Sequence, residues 1–140
     1  MSIDLDQDEK ELIEELDALE GWEERYQYLI DMGRELAPLK NPHHKWLIKG
    51  CQSKVWLIAK LEEGKLILEA DADALLPKGI AALMLRLYSG KYPLDIVNSR
   101  GDFISKIGFH EFLSPIRANG MLAMLKQIKI YAQVFLAKEE

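Results

Sequence analysis

Apolar positions along the chain follow a helical period, then a two-residue period, then a helical period again. From Asp8 to Leu19, the residues Leu12, Ile13, Leu16 and Leu19 recur at helical spacing among acidic side chains, and Gly21 ends the run. A second helix is predicted from near Trp22, with Tyr26, Leu29, Ile30 and Gly33 on one face and a stop before Pro38. LAPLKNPHHK, with two prolines and an Asn-Pro pair, reads as a loop. Residues 45–49 then suit a short strand. From Val55 to Leu61 one face carries Val55, Leu57, Ala59 and Leu61, and the other Trp56, Ile58 and Lys60. Glu62-Glu63-Gly64 reads as a tight turn into a strand over Lys65 to Ala70.

The helical period returns with Ile80, Leu83, Met84 and Leu87, ending at Ser89-Gly90. Residues 93–109 break into short helical pieces at Gly101 and Gly108. A last helix opens at Ser114-Pro115, a capping residue followed by a proline whose missing N–H costs nothing there, and runs through Met121, Leu125, Ile128 and Ala132. The expected fold is α+β in one domain over 1–140, with an antiparallel sheet of about three strands packed against N- and C-terminal helices. A ribbon that small is marginal alone, so helices must cover one face.

Composition adds limits. The chain has 140 residues, 49% of them hydrophobic and 29% charged, as in a globular domain with its own core. No apolar run reaches the roughly 20 residues of a membrane span, and the acidic N-terminus lacks a secretory pattern, so a cytoplasmic protein without membrane contact is expected. Residues 1–24 hold eleven acidic side chains against Lys10 alone, a net of −10, which leaves +5 on the remainder of a chain of net −5. The leading charge argues against nucleic acid as the main partner, because phosphate binding needs a basic footprint.

Candidate chemistry narrows to one thiol. The protein has a single cysteine and three histidines, too few soft ligands for a zinc or iron–sulfur site, and no CxxC, GxGxxG or Walker sequence. His43 and His44 make at most a two-ligand pair on a loop, and nothing in the sequence brings His110 to the cysteine. Cys51 lies in WLIKGCQSKVWLI (46–58), where Gly50, Gln52, Ser53 and Lys54 form a polar turn between apolar runs. Glycine lets the backbone turn and lets another surface approach, and successive backbone amides in a turn stabilise a thiolate. These residues leave three readings open: a reactive acceptor thiol, a single-cysteine enzyme such as a peroxidase or hydrolase, or an incidental cysteine in an interaction domain.

GCQSKVWL (50–57) resembles the block around the acceptor cysteine of the SufE-like cysteine-desulfuration family. RYQYLIDMGREL (25–36), ADADALLPKGIAALML (70–85) and LSPIRANGMLAMLKQI (113–128) are similar to further family blocks in the same order. Ala72, Pro77, Ile116 and Ala118 depart from the usual family residues. The resemblance implies that Cys51 takes persulfide sulfur from a SufS-like cysteine desulfurase, stimulates that enzyme, and passes the sulfur to a SufBCD-type scaffold for iron–sulfur cluster assembly. It implies no cofactor on this chain, pyridoxal phosphate belonging to the desulfurase. Gly50, Gln52 and Ser53 would shape the loop. Asp73 and Arg117 match family residues, Arg117 either as a positive charge near the thiolate or in a salt bridge to Asp73. Asp71 and Asp73 are expected to cap the following helix. The apolar flanks, Leu47, Ile48, Val55 and Trp56, further suggest a resting thiol folded inward, on a loop that swings out when a partner docks.

Overall fold

A computed structural model describes residues 3–49, 53–101, 103–108 and 113–139. The expectations placed on Gly50, Cys51, Gln52 and His110, including the inward resting position of the thiol, lie outside the described residues.

The acidic leading segment forms α1 (Ile3–Asp17), with Leu5, Leu12 and Leu16 buried on one face. It is followed by α2 (Trp22–Arg34), which buries Leu29 and Gly33. The hydrophobic alternation then folds into a hairpin of β1 (Val55–Glu62) and β2 (Lys65–Ala72), antiparallel, with Val55 opposite Ala72 and Glu62 opposite Lys65. The two turn residues, Glu63 and Gly64, both have positive φ (52° and 81°). That is the type I′ requirement, matched to the right-handed twist of the strands, and glycine meets it without strain. Val55, Leu57, Leu66, Leu68 and Ala70 point into the core, so the two-residue period read from the sequence is the buried face of the sheet.

Helix α3 (Leu75–Tyr88) packs on β2 and is the centre of the molecule, burying Gly79 to Met84, Leu87 and Tyr88. Short helices α4 (Pro93–Asn98) and α5 (Phe103–Ile107) follow, and the long α6 (Pro115–Glu139) packs on α4, α3 and β1. Ser114 caps α6 as expected, its Oγ accepting from the Arg117 amide at 3.3 Å.

The architecture is α+β, as expected, and among the described residues the sheet has two strands where about three were expected. Residues 44–46 form a 3-10 turn instead of a strand, because His43 Nδ1 accepts from the Lys45 amide at 3.0 Å and caps it. Only Leu47 remains to pair with the sheet, as a single bridge to Trp56. Other groups complete the two edges. On β1, Ile48 N–H donates to Val55 O (2.9 Å) and Tyr131 Oη to Leu57 O (3.0 Å). On β2, Leu66 N–H donates to Lys91 O (2.8 Å), Gly90 N–H to Leu66 O (2.7 Å), and Leu68 N–H to Ser89 Oγ (3.0 Å). The backbone groups that a third strand would have satisfied are met one at a time.

Polar contacts tie α1 to residues far along the chain. Lys91 Nζ meets Asp8 at 2.6 Å, Ser99 Oγ donates to Glu9 at 3.4 Å, and Arg86 grips Glu15 with two nitrogens at 2.7 Å each. Tyr28 Oη also donates to Glu15 and accepts from Arg86. The hydrogen bond from Arg86, helped by that from Tyr28, lowers the Glu15 carboxyl from 4.5 to about 2. A depressed folded-state value means that the cluster's stabilisation is complete above about pH 4.5 and is lost as pH falls toward 2. Glu15 is 44% exposed, so water screens the pair, and the contribution is about 1 kcal/mol rather than the full linkage value. Glu15→Gln should therefore lower stability by about 1 kcal/mol at pH 7 and by almost nothing at pH 2, as measured by urea unfolding at the two pH values.

Candidate functional site

The chain on either side of residues 50–52 is held from both directions. On the N-terminal side, Leu47 bridges to Trp56 and Ile48 N–H donates to Val55 O, which fastens this segment to the start of β1. On the C-terminal side, Lys54 and Asp73 exchange two hydrogen bonds: Lys54 N–H to Asp73 Oδ1 and Asp73 N–H to Lys54 O, each 3.0 Å. This pair lies one residue beyond the Val55–Ala72 rung and closes the open end of the hairpin. Ser53 is half-buried beside it, while Lys49 and Lys54 are exposed.

The neighbouring carboxylate holds a third segment. Asp71 accepts from the amides of Leu39 (3.0 Å) and Ala72 (2.8 Å) and pairs with Lys78 Nζ at 3.5 Å. Burial opposes its charge, but the two amides and the Lys78 ammonium outweigh it and hold the carboxyl below its ordinary value. The proline-rich loop is thereby fastened to the same end of the hairpin. Neither aspartate caps α3, correcting the expectation: the helix begins at Leu75 and its N-cap is Ala74, with no side-chain cap bond. The acids fall too early in the chain, and the strand's open end takes them instead.

Arg117 is exposed on the first turn of α6. Among the described residues no ion pair joins it to Asp73, whose Oδ1 accepts from the Lys54 amide. The structure thus brings together Asp73, Lys54 and the neighbouring Ser53, and shows no contact from Arg117 to them. His43 and His44 stack, with ring centroids 4.3 Å apart, and His43 serves the 3-10 turn. Among the described residues, no three His, Cys, Asp or Glu side chains could hold a metal ion, and no helix is long and apolar enough to cross a membrane.

Lys54 escaped the reading of the sequence as a partner of Asp73, though a signal existed. Once a two-residue turn is placed at Glu63-Gly64, every cross-strand pair is fixed, Lys54 opposite Asp73 included. Asp73→Ala should remove one of the two bonds and leave the backbone one, at a cost of about 1 kcal/mol for an exposed contact. The Lys54 amide should then exchange with solvent faster than in the wild type while the rest of the hairpin is unchanged. Unaltered exchange at Lys54 would dismiss Asp73 as a clamp on this segment.

The fold is shared with a solved structure, described as the solution structure of a hypothetical protein from Thermus thermophilus. The two are 23% identical, with a TM-score of 0.79 over 93% of this chain and 96% of that one. A family model, the SufE Fe–S metabolism associated domain, matches residues 10–132 and so takes in the hairpin, both stems of the Cys51 segment and most of α6. With that match across almost its whole length, the chain belongs to the SufE family of Fe–S metabolism associated domains.

Proposed function

We propose that this protein is a cytoplasmic sulfur acceptor in iron–sulfur cluster assembly, with Cys51 as the atom carrier. The observation that carries the proposal is family membership combined with a single cysteine, set in the block GCQSKVWL (50–57). The Cys51 thiolate attacks the outer sulfur of a persulfide on a SufS-like cysteine desulfurase. A new S–S bond forms, the old one breaks, and the desulfurase cysteine leaves as a thiolate that takes up the proton Cys51 gave up. Nothing is oxidised or reduced overall, because one sulfane sulfur changes owner. Removing it from the desulfurase frees that enzyme for another turnover, which is the basis of the stimulation. A second exchange delivers the sulfur to a SufBCD-type scaffold. The pyridoxal phosphate that releases sulfur from free cysteine is the desulfurase's own, and no cofactor is assigned to this chain.

Two features support the reading. The chain on either side of residues 50–52 is fixed, by Ile48 to Val55 and by Lys54 to Asp73, so the two ends from which Cys51 is presented are held in place. Lys49 and Lys54 flank Cys51 in sequence, and both are exposed, so they are open to an acidic surface of a partner. Gly50 and Gln52 are assigned to loop shape, and Arg117 to the partner-facing surface.

Intact-mass spectrometry tests the proposal. Incubation with a cysteine desulfurase and free cysteine should add the mass of one sulfur atom, removable by dithiothreitol. With one thiol in the chain, such an increment can belong only to Cys51. An unchanged mass under turnover conditions would end the acceptor reading.

A further inference from the structure

A groove of about 380 Å³ runs between the segment just before Cys51 and the middle of α6. Lys45, Leu47 and Lys49 line one wall, and Lys126, Ile130 and Tyr131 the other. No acidic side chain lines it, and no ion pair engages Lys45, Lys49 or Lys126 among the described residues. Lys45 is instead steadied over the Trp46 ring, 5.0 Å from its centroid. Among the described residues, three like charges share one concavity without a counter-charge, in a protein whose net charge is −5. On the same helix Leu122, Ile130 and Val134 are each more than a third exposed, spaced at four and eight residues with Lys126 among them.

We propose that this groove docks an acidic segment of a partner protein, in which carboxylates flank one large apolar side chain. The carboxylates would meet the three lysines, and the apolar side chain would cover Leu47, Ile130 and Tyr131. A small inorganic anion would leave the apolar wall unused. A nucleic acid needs a longer basic track than three lysines and would be repelled by the acidic leading segment. Because Lys49 directly precedes residues 50–52, a segment in the groove lies next to the thiol-bearing stretch of chain. The proposal goes beyond the sulfur-acceptor reading and requires no thiol.

The test titrates ¹⁵N-labelled Cys51→Ser protein with a synthetic peptide, a leucine with three glutamates on each side and both termini blocked, followed by amide chemical shifts. Shifts should concentrate in residues 45–49 and 122–131 and shrink as salt is raised. The double variant Lys45→Glu/Lys126→Glu should weaken binding about tenfold or more with an unchanged circular dichroism spectrum. Ile130→Ala should weaken it by a smaller factor that does not depend on salt. The proposal is overturned if millimolar peptide shifts nothing in the groove, or if a glutamine version binds equally well. It is also overturned if a single-stranded RNA oligomer or phosphatidylglycerol vesicles occupy the same residues more tightly than the peptide. Since the titrated protein lacks the thiol, none of these results bears on whether Cys51 accepts sulfur.

Discussion

Gly79→Ala should lower the stability of this protein by about 3 kcal/mol, the upper end of what a small overpacking substitution costs. Helices α2 and α3 cross with their backbones in contact. A Cβ on Gly79 would stand 2.2 Å from the Leu29 carbonyl oxygen, and one on Gly33 would stand 2.7 Å from the Gly79 nitrogen. Both obstacles are backbone atoms inside helices, so no side chain can swing aside and the helices must separate. Separation would open the interface around Leu29, Ile80 and Leu83, all fully buried. The intrinsic gain of alanine over glycine in a helix, about 1 kcal/mol, is too small to offset this. Urea unfolding should show a midpoint lower by roughly 1 to 3 M. Gly21→Ala is the control, because a Cβ there meets nothing within 4 Å. Should Gly79→Ala unfold at the wild-type midpoint, the helices do not approach as closely as described.

Cys51→Ser should reduce the rate of a partner desulfurase, measured as sulfide release from cysteine, to that of the desulfurase alone. A thiol with a pKa of ~8.5 is a thiolate to a few per cent at neutral pH, which is enough to start the exchange. A serine hydroxyl is not measurably ionised there and cannot form the S–S bond on which the transfer depends. The substitution leaves Lys45, Lys49, Lys54, Asp73 and Arg117 in place, so the variant should still bind the partner. Added in excess to a mixture containing wild-type protein, it should slow the reaction by occupying the desulfurase unproductively. Full stimulation by the serine variant would mean that the protein activates by contact alone and carries no sulfur.

Much of this fold is legible in the sequence because burial is periodic. The buried faces of α2, β1, β2, α3 and α6 are the apolar positions that recur at 3.6 or 2.0 residues, and Ser114-Pro115 marks a helix start by capping chemistry alone. The third strand, absent among the described residues, shows the limit. Residues 45–49 have strand-like side chains, but a backbone amide bound to a histidine ring outweighs that preference over so short a stretch. Within the site, the lone cysteine is conspicuous from chemistry and resemblance. The clamp is not, because Asp73 has two backbone targets within reach, the following helix and the facing strand, and only the hairpin register chooses between them. The groove is beyond local reading altogether, since its walls come from residues 45–49 and 123–131, which only the completed fold brings together.

The long-range anchoring of α1 has a consequence for how the chain is made. The helix carrying Leu5, Leu12 and Leu16 packs mainly on α3 and α5, and its distant polar anchors are Arg86, Lys91 and Ser99. At ribosomal speeds of about 5–20 residues per second, the helix waits about 4 to 16 seconds between its own synthesis and that of its docking site. During that interval it is an amphipathic segment with an uncovered leucine stripe, the kind of surface that chaperones bind and neighbouring nascent chains stick to. The eleven acidic residues within positions 1–24 keep such segments apart by mutual repulsion until α3 and the residues after it arrive. The same carboxylates then serve twice, as Asp8, Glu9 and Glu15 become the contacts that seat the helix.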